Sequence, residues 1–538
     1  MSFALILYII LLRKTPREVT DMLMGIDFGT CFSNVAVMRG REVVKSLRSD
    51  PGDTGLPTLF MYSRLSGKEL YGYDCVNTKD AFVYSADVIR YMKRTIRKNP
   101  ADIDKTVQSG GKTYTVREIL KKYLKFLIDE GKASALSAGG ISNPELEKIT
   151  IAAPVGIASG QMTATGYNKL LSETVAEITG LSKENIFIIE EPVAASFSYI
   201  NSEGVNERRK QSILVFDLGG GTLDVSVVQH DPNADTYKVM AKEGDLDLGG
   251  NDWDAELAKV LLENAGVSGA FTSKEDEIVF RSKVVPKIKK ELSSDFDAYA
   301  RFKFNGAAKD TDVTREEFED ATKHLLDRAV ALTKKTIASY SPLGISAIDK
   351  IILVGGGSNM PQIRERLIKE FPSLGESGIY QHKPSLAIAM GAAIYSYIGK
   401  RVVNIASHTY GFDSRRSRDL KEMIYNVIYK GTVYDESGYI TGTTDSYFHP
   451  RNNDQTRLTF EVYESDGKRG VGEDADWMEY GSERANGVSL TIDVPPKYLG
   501  KAKDFKVWVT FKLSSNGIFE ILVKDEDGKV VGHRQKQI

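Results

Sequence analysis

Two cysteines, Cys31 and Cys75, are all that 538 residues contain. So low a count excludes a disulfide framework and a cysteine-rich zinc site, and it suits a reducing compartment such as the cytoplasm. An excess of one charge is also missing, since 71 basic residues against 73 acidic ones leave a formal net charge of -2. Nucleic acid is therefore disfavoured as a partner. Nor is the apolar stretch "FALILYIILL" at 3–12 long enough to cross a bilayer, which takes roughly 18–20 residues. Basic residues follow that stretch rather than precede it, and no small-residue cleavage site is evident, so it makes a poor secretory signal. Two readings of residues 1–22 stay open: a start codon ahead of the true one at Met22 or Met24, or a weak membrane anchor.

What is present is ordinary for a globular protein, with 41% hydrophobic and 27% charged residues,. The length suggests about three or four domains or subdomains. One stretch stands apart. "VFDLGGGTLDVSVV", residues 215–228, places Asp217 inside an apolar run and follows it with three glycines. A lone buried carboxylate is costly, so such an acid is paired, solvated at a strand end, or facing a cation. Bare glycines let a bulky anion approach backbone N–H groups. A similar arrangement, "MGIDFGTCFSNVAVM" at 24–38, surrounds Asp27. Both read as a β-hairpin with an acid at the strand end and a Gly/Thr turn. Two such hairpins facing one another across a cleft would hold a polyphosphate between them.

Strand-like runs "KITIAAP", "NIFIIEEP", "SILVFDLGG" and "DKIILVGGG" alternate with helical patterns up to about residue 398, which argues for α/β layers. Two of the helices open on capping boxes, Thr115 with Glu118 and Thr314 with Glu317,. Beyond about residue 400 the period falls to two, with Val488, Leu490, Ile492 and Val494, then Phe505, Val507, Val509 and Phe511,. Asn516-Gly517 and Asp527-Gly528 supply hairpin turns, so this part reads as all-β. Further glycines share the phosphate logic. Gly249-Gly250 opens a helix, and Gly355-Gly356-Gly357 links a strand to the helix that begins near Pro361,.

"GIDFGT", "FDLGGGTLDVSV", "GDLDLGGNDWD", "EEPVAASFSY" and "ILVGGGSNMP" together resemble the nucleotide-site motifs of the seventy-kilodalton heat-shock chaperones, the DnaK type, in the family's order. The resemblance covers residues 24–400 strongly and the β-region more faintly, through "IASHTYGFDS" and "VTFKLSSNGIFEILVKDEDGK". It implies an actin-like ATPase domain of duplicated ribonuclease-H-like lobes at 23–398, a linker at 399–410, and a peptide-binding β-sandwich at 411–538. It also implies ATP or ADP, Mg²⁺ with K⁺ as an optional second ion, extended polypeptide clients, a J-domain co-chaperone and a nucleotide-exchange factor. The family continues into a helical lid where this chain stops at Ile538, so the expectation is a divergent, lidless type or a truncation.

Carried over residue by residue, the resemblance puts Gly29, Thr30, Cys31 and Phe32 on the first phosphate loop and Gly219, Gly220, Gly221 and Thr222 on the second. Asp27 and Asp217 would hold a hydrated Mg²⁺. Lys93 would position the attacking water and offset γ-phosphate charge, with Glu191 orienting water and metal and with Asp217 and Thr222 completing the catalytic group. Gly249, Gly250, Lys289, Lys290, Ser293, Gly355, Gly356, Gly357 and Asn359 fall on the adenosine and phosphate contacts. Plainer readings stand beside two of these. Lys93 lies among Arg90, Arg94 and Arg97 on a basic helix whose face would ordinarily be solvated, and Glu191 suits any helix N-terminus ahead of Pro192.

Several positions depart from the family pattern. Pro286 replaces a ribose-binding glutamate, Asn359 an arginine that stacks on adenine, Cys31 a threonine, and Met162 the relay partner of Pro154. A thiol facing phosphates invites a redox switch, while plain threonine-to-cysteine drift is the simpler account. The linker is reduced to "VVNIAS", whose Val402 and Val403 suit a short edge strand. The leading expectation is an ATP-hydrolysing cytoplasmic chaperone. A nucleotide-binding adaptor or exchange co-chaperone without hydrolysis is the alternative, and a small-molecule kinase comes third.

Overall fold

The computed structural model describes residues 21–39, 42–45, 55–79, 83–98, 100–137, 145–154, 164–202, 209–232, 236–341, 343–398, 401–402, 409–415, 421–429, 432, 439–465, 476–478, 484–514 and 518–537. The readings made of segment 1–20, Met162, Val403 and the Asn516-Gly517 turn lie outside these residues. The chain divides into two compact units, with the change at Arg401 and Val402.

The first unit is built on two sheets that repeat one plan. Strand Asp21–Asp27 pairs antiparallel with Phe32–Arg39 on one side and parallel with Glu145–Ala153 on the other, with Glu42–Lys45 and Ile186–Glu190 beyond them. In the second sheet Gln211–Leu218 pairs antiparallel with Leu223–Asp231 and parallel with Lys350–Val354, with Thr236–Asp245 and Ile379–Tyr380 beyond. This is the duplicated, actin-like arrangement of ribonuclease-H-like lobes. Alternate side chains of the first strand, Met22, Met24 and Ile26, are fully buried. The strand's composition follows, because a central strand covered on its faces has no polar surface to serve.

Helices Glu191–Ser202 and Ala387–Ile398 cross against each other; the first also packs on the second sheet and the second on the first sheet. The sequence "AIAMGAAIYSYI" is apolar nearly all round, as suits a helix packed among its neighbours over most of its length, with Tyr397 near its end 40% exposed,. Its small residues set the spacing. A methyl group on Gly391 would lie 1.7 Å from the Ala194 carbonyl oxygen, and one on Gly25 would lie 2.2 Å from the Ala393 nitrogen. Backbone therefore meets backbone at the crossing, and no larger residue fits.

Around the second sheet stand helices Gly250–Asn264 and Arg315–Tyr340, the helical run from Lys274 to Ser294, and the hairpin Asp297–Phe304/Ala307–Thr314. Both predicted capping boxes form, through Thr115 with Glu118 and Thr314 with Glu317. Pro286 sits inside the helical run, where it removes a donor. The turn Phe280–Val284 just before it widens to π geometry, with the Val285 N–H donating to the Phe280 carbonyl. The insertion takes up the register that proline breaks.

The second unit is an all-β sandwich. One sheet orders Trp477–Met478, Glu422–Ile428, Thr409–Arg415, Arg457–Ser465 and Arg484–Asp493; the other orders Tyr439–Thr443, Val507–Ser514, Ile518–Asp525 and Val530–Gln537. The alternation read at Val488–Val494 and Phe505–Phe511 lies on buried positions, as a strand with one core face requires. Between the sheets, Phe412 packs edge-on against Phe448, Phe460 and Phe511. The described turn Asp525–Lys529 carries Gly528 at φ 74°.

Candidate active site

The two hairpins deliver their acids to matching places. Asp27 stands opposite Asn34 in the antiparallel register and Asp217 opposite Asp224, each seven residues on. Lys93 comes from the short helix Met92–Lys98, whose Met92 and Ile96 are buried as anchors. Glu191 opens the crossing helix. The Lys93 ammonium donates to the Glu191 carboxylate at 2.6 Å, and both residues are buried, at 5% and 7% exposure. The solvated-helix reading of Lys93 does not survive this contact: the side chain points inward, on the side of the helix that also buries Met92 and Ile96.

Burial pushes the Asp27 carboxyl up to about 7, with Glu191 adding to the rise and Lys93 opposing it. Asp217 is raised well above the carboxylate range, by burial first, then by Glu191, Asp224 and Asp27, against Lys93. Asp27, Asp217 and Glu191 thus lie in the field of the Lys93 ammonium, with Asp224 adding to the negative charge around Asp217. Such an excess of buried negative charge is what a bound cation relieves. Among the described residues no three His, Cys, Asp or Glu side chains form a cage that could grip a metal directly. The set fits an ion that keeps most of its water and leans on one or two carboxylates, which is the habit of Mg²⁺.

The loops at 29–32 and 219–222 face one another. Cys31 lies against Gly220, where an added methyl would sit 2.7 Å from its Cβ, and Thr30 approaches Gly221. Gly29 follows Asp27 into a turn so tight that a Cβ would sit 1.9 Å from the Phe32 carbonyl oxygen. Thr58 donates to the Gly29 carbonyl at 3.0 Å and exchanges a bond of 2.8 Å with Ser33. Phe32 stands 40% exposed at the strand start. On the second loop the Thr222 hydroxyl donates to Asp224 at 3.2 Å, and the Gly219 N–H closes on the Thr222 carbonyl at 3.0 Å.

The glycines at 249 and 250 do something other than leave amides bare. Gly250 and Asn251 donate their N–H groups to the carbonyls of Gly219 and Gly220 at 2.9 and 2.8 Å, and the Gly249 N–H goes to Asp252. A Cβ on Gly249 would strike the Gly221–Thr222 backbone at 2.5 Å. The helix end therefore fixes the shape of the loop Gly219–Thr222. Gly355, at φ 81°, and Gly357 similarly clear space for Asp217 and Leu218, while Gly356 is exposed. Lys289 donates to the Gly250 carbonyl and pairs with Asp254, both at 2.8 Å. Lys290 lies next to it on the same helix, and the Ser293 hydroxyl bonds back to the Lys289 carbonyl. Asn359 turns its amide to Gly356 and Ser385 of its own lobe.

Sequence reasoning missed Asp224, Asn34 and a contact over the loops. The spacing of seven in both hairpins was the available signal for the first two. Arg94 donates to Asp247 at 2.5 Å and the Asn251 amide to the Cys31 sulfur at 3.5 Å, linking the lobes. Nothing in the sequence marks those partners. Burial raises the Cys31 thiol above its ordinary value, ahead of the opposing effects of Asn251 and Lys289.

The sequence model of the family described as "Hsp70 protein" matches residues 23–536. The chain belongs to the Hsp70 family. Its similarity to the Chaperone protein DnaK of Halobacterium salinarum is 27% identity over 522 residues, covering 94% of this chain and 73% of that protein, in each of two strains. The chloroplastic stromal 70 kDa heat shock-related protein of Pisum sativum is 28% identical over 407 residues, covering 71% of this chain and 53% of the relative. Among the described residues of this Hsp70 chain no helix is long and apolar enough to cross a membrane.

Proposed function

We propose that the protein is an ATP-dependent chaperone that couples slow hydrolysis in the interlobe cleft, at 23–398, to binding and release of extended polypeptide segments by its β-sandwich, at 411–538, through a linker at 399–410. The observation that carries this reading is the buried Lys93–Glu191 pair beside Asp27 and Asp217. That arrangement suits the γ-phosphate end of a nucleotide. The ammonium would offset charge on the transferred group and hold a water, Glu191 would accept from that water, and Asp27 and Asp217 would hold a hydrated metal through its waters. Mg²⁺ supplies charge neutralisation across the phosphates. The loop residues Gly29 to Phe32 and Gly219 to Thr222 offer backbone and hydroxyl groups to the phosphates, while Lys289, Lys290, Ser293, Gly355 to Gly357 and Asn359 border the adenosine. Pro286 and Asn359 remove an acid and a guanidinium from that border, so nucleotide exchanges faster here than with a full set. J-domain and nucleotide-exchange partners in the cytoplasm complete the cycle.

The test is single-turnover ATP hydrolysis by the full chain, with and without an unfolded polypeptide. Slow turnover that polypeptide accelerates severalfold is expected. Tight nucleotide binding with no turnover in either condition would replace this reading with the adaptor or exchange-partner reading.

A further inference from the structure

The chain reaches Lys93 through an abrupt change of direction. Ile89 is still extended, bridged to Phe60 by backbone bonds of 2.8 and 3.2 Å, and the helix that carries Lys93 begins at Met92. Tyr91 makes the turn. Its backbone lies in the left-handed region at φ 57°, while its carbonyl already accepts the Thr95 N–H at 3.0 Å and so closes the first turn of the helix. A residue in that place ordinarily has an extended backbone, and the left-handed region is costly for a residue with a bulky side chain. Asn305, also left-handed at φ 51°, sits in a hairpin turn before Gly306, where its short polar side chain suits that backbone. A tyrosine has no such affinity. The strain at 91 therefore asks for something that the ring does.

The ring contributes little to the core, since Tyr91 is 44% exposed while Met92 beside it is buried. Partial burial raises the phenol above its ordinary pKa, followed by the nearby Cys31 thiol, with Arg90 and Arg94 opposing and Asp254 adding to the rise. Two of these neighbours mark the place. Cys31 belongs to the loop at 29–32 and lies against Gly220 of the facing loop. Asp254 belongs to the helix Gly250–Asn264, whose first amides hold that facing loop. The Asn251 amide donates to the Cys31 sulfur at 3.5 Å, and Arg94 donates to Asp247 at 2.5 Å, so the lobes meet here. A half-exposed ring among these groups stands where the seam between the two loops opens to solvent.

We propose that Tyr91 is a nucleotide-retaining residue, its ring closing over the seam between the loops at 29–32 and 219–222 when a nucleotide occupies the cleft. The inference rests on the cleft being the nucleotide site, as proposed above. A ring in that position slows release, because it must swing aside before the ligand leaves. It also keeps water from the buried Lys93–Glu191 pair,.

Two measurements on the full chain separate this role from plain packing: the melting temperature of the nucleotide-free protein, and the release of fluorescently labelled ADP, with Mg²⁺ present, on stopped-flow displacement by excess ADP. Tyr91→Gly takes the left-handed backbone without strain, so its nucleotide-free melting temperature should equal or exceed that of the wild type. Labelled ADP should leave it roughly tenfold faster or more. Tyr91→Asn, which tolerates the same backbone without glycine's freedom, should behave like Tyr91→Gly. Tyr91→Phe keeps the ring and should release within about twofold of the wild-type rate. A lower nucleotide-free melting temperature in both Tyr91→Gly and Tyr91→Asn would make the ring a packing residue and overturn the proposal. Release at the wild-type rate from those two variants would overturn it as well, and so would release from Tyr91→Phe as fast as from Tyr91→Gly. A wild type that binds no labelled ADP would overturn the cleft reading and this inference with it, an outcome told apart from the others because it appears before any substitution is made.

Discussion

Lys93 and Glu191 bury opposite charges against one another, and neither has water to fall back on. Lys93→Ala should therefore do two things. Hydrolysis should stop while ATP stays bound, because in the proposed site the ammonium serves the γ-phosphate end rather than the adenosine. The protein should also lose about 3–5 kcal/mol of stability, since Glu191 is left buried and alone. Lys93→Met with Glu191→Gln should recover most of that stability without recovering turnover. Chemical denaturation and single-turnover rates on the same samples separate the effects; equal loss of stability in both variants would show that the pair does not act as a unit.

Asp27 offers a pH signature. With its folded pKa raised to about 7 from an unfolded value near 3.9, the folded state binds the extra proton between those limits. Stability from this group then falls as pH rises from about 4 to 7. Metal-free Asp27→Asn should accordingly be more stable than wild type at pH 8, by on the order of 4 kcal/mol for a shift of about three pKa units,, and the advantage should vanish by pH 4. Calorimetric melting in chelator measures it. Magnesium and ADP should shrink the difference, because the cation favours the ionised carboxyl. Both acids were legible in the sequence because a charge inside an apolar run needs a reason. Lys93 and Glu191 carried no such mark: a basic helix and a helix-opening acid are common, and only resemblance to a family singled them out.

At the scale of elements, the legible part was periodicity and the illegible part was partnership. Apolar alternation gave the strands, and Thr-x-x-Glu gave two helix starts. The helix start at Gly249-Gly250 looked available for an anion, yet the amides of Gly250 and Asn251 serve the carbonyls of Gly219 and Gly220. Which carbonyl meets an amide depends on tertiary placement, and no local pattern records it. The crossing of Glu191–Ser202 and Ala387–Ile398 has the same character. Gly391→Ala should lower stability by about 2–3 kcal/mol, because the added methyl meets a carbonyl rather than a movable side chain. Ala194→Gly should not rescue it, since the clash is with backbone. A melting temperature within a degree of wild type would show that the helices can separate at little cost.

For the whole molecule, the sandwich sets what client binding can amount to. Phe412, Phe448, Phe460 and Phe511 fill the space between its sheets, and Phe448 is held by paired backbone bonds to Val507 at 2.8 and 2.9 Å. Under the proposed function, an extended peptide would gain its contacts from loops and strand edges, with few fully desolvated side chains. The full chain should bind Leu- or Val-rich peptides at micromolar level, roughly 8 kcal/mol, and release them within seconds. Fluorescence anisotropy with stopped-flow competition tests this; absence of binding across a peptide panel would favour a role without clients.

The closeness of Gly391 to Ala194 has a mechanical consequence. Helices separated by interlocked side chains resist rotation, since ridges must climb out of grooves. Where bare backbones touch, there is little to climb, and the two helices can turn about one point like the blades of a pair of scissors. Each blade carries a lobe: Ala387–Ile398 lies on the first sheet and Glu191–Ser202 on the second. A few degrees at the pivot become a much longer excursion at the rim, where Arg94 meets Asp247. Leverage of this kind makes the cleft's width sensitive to a weak surface ion pair, because a small force far from the fulcrum is enough to hold the blades shut.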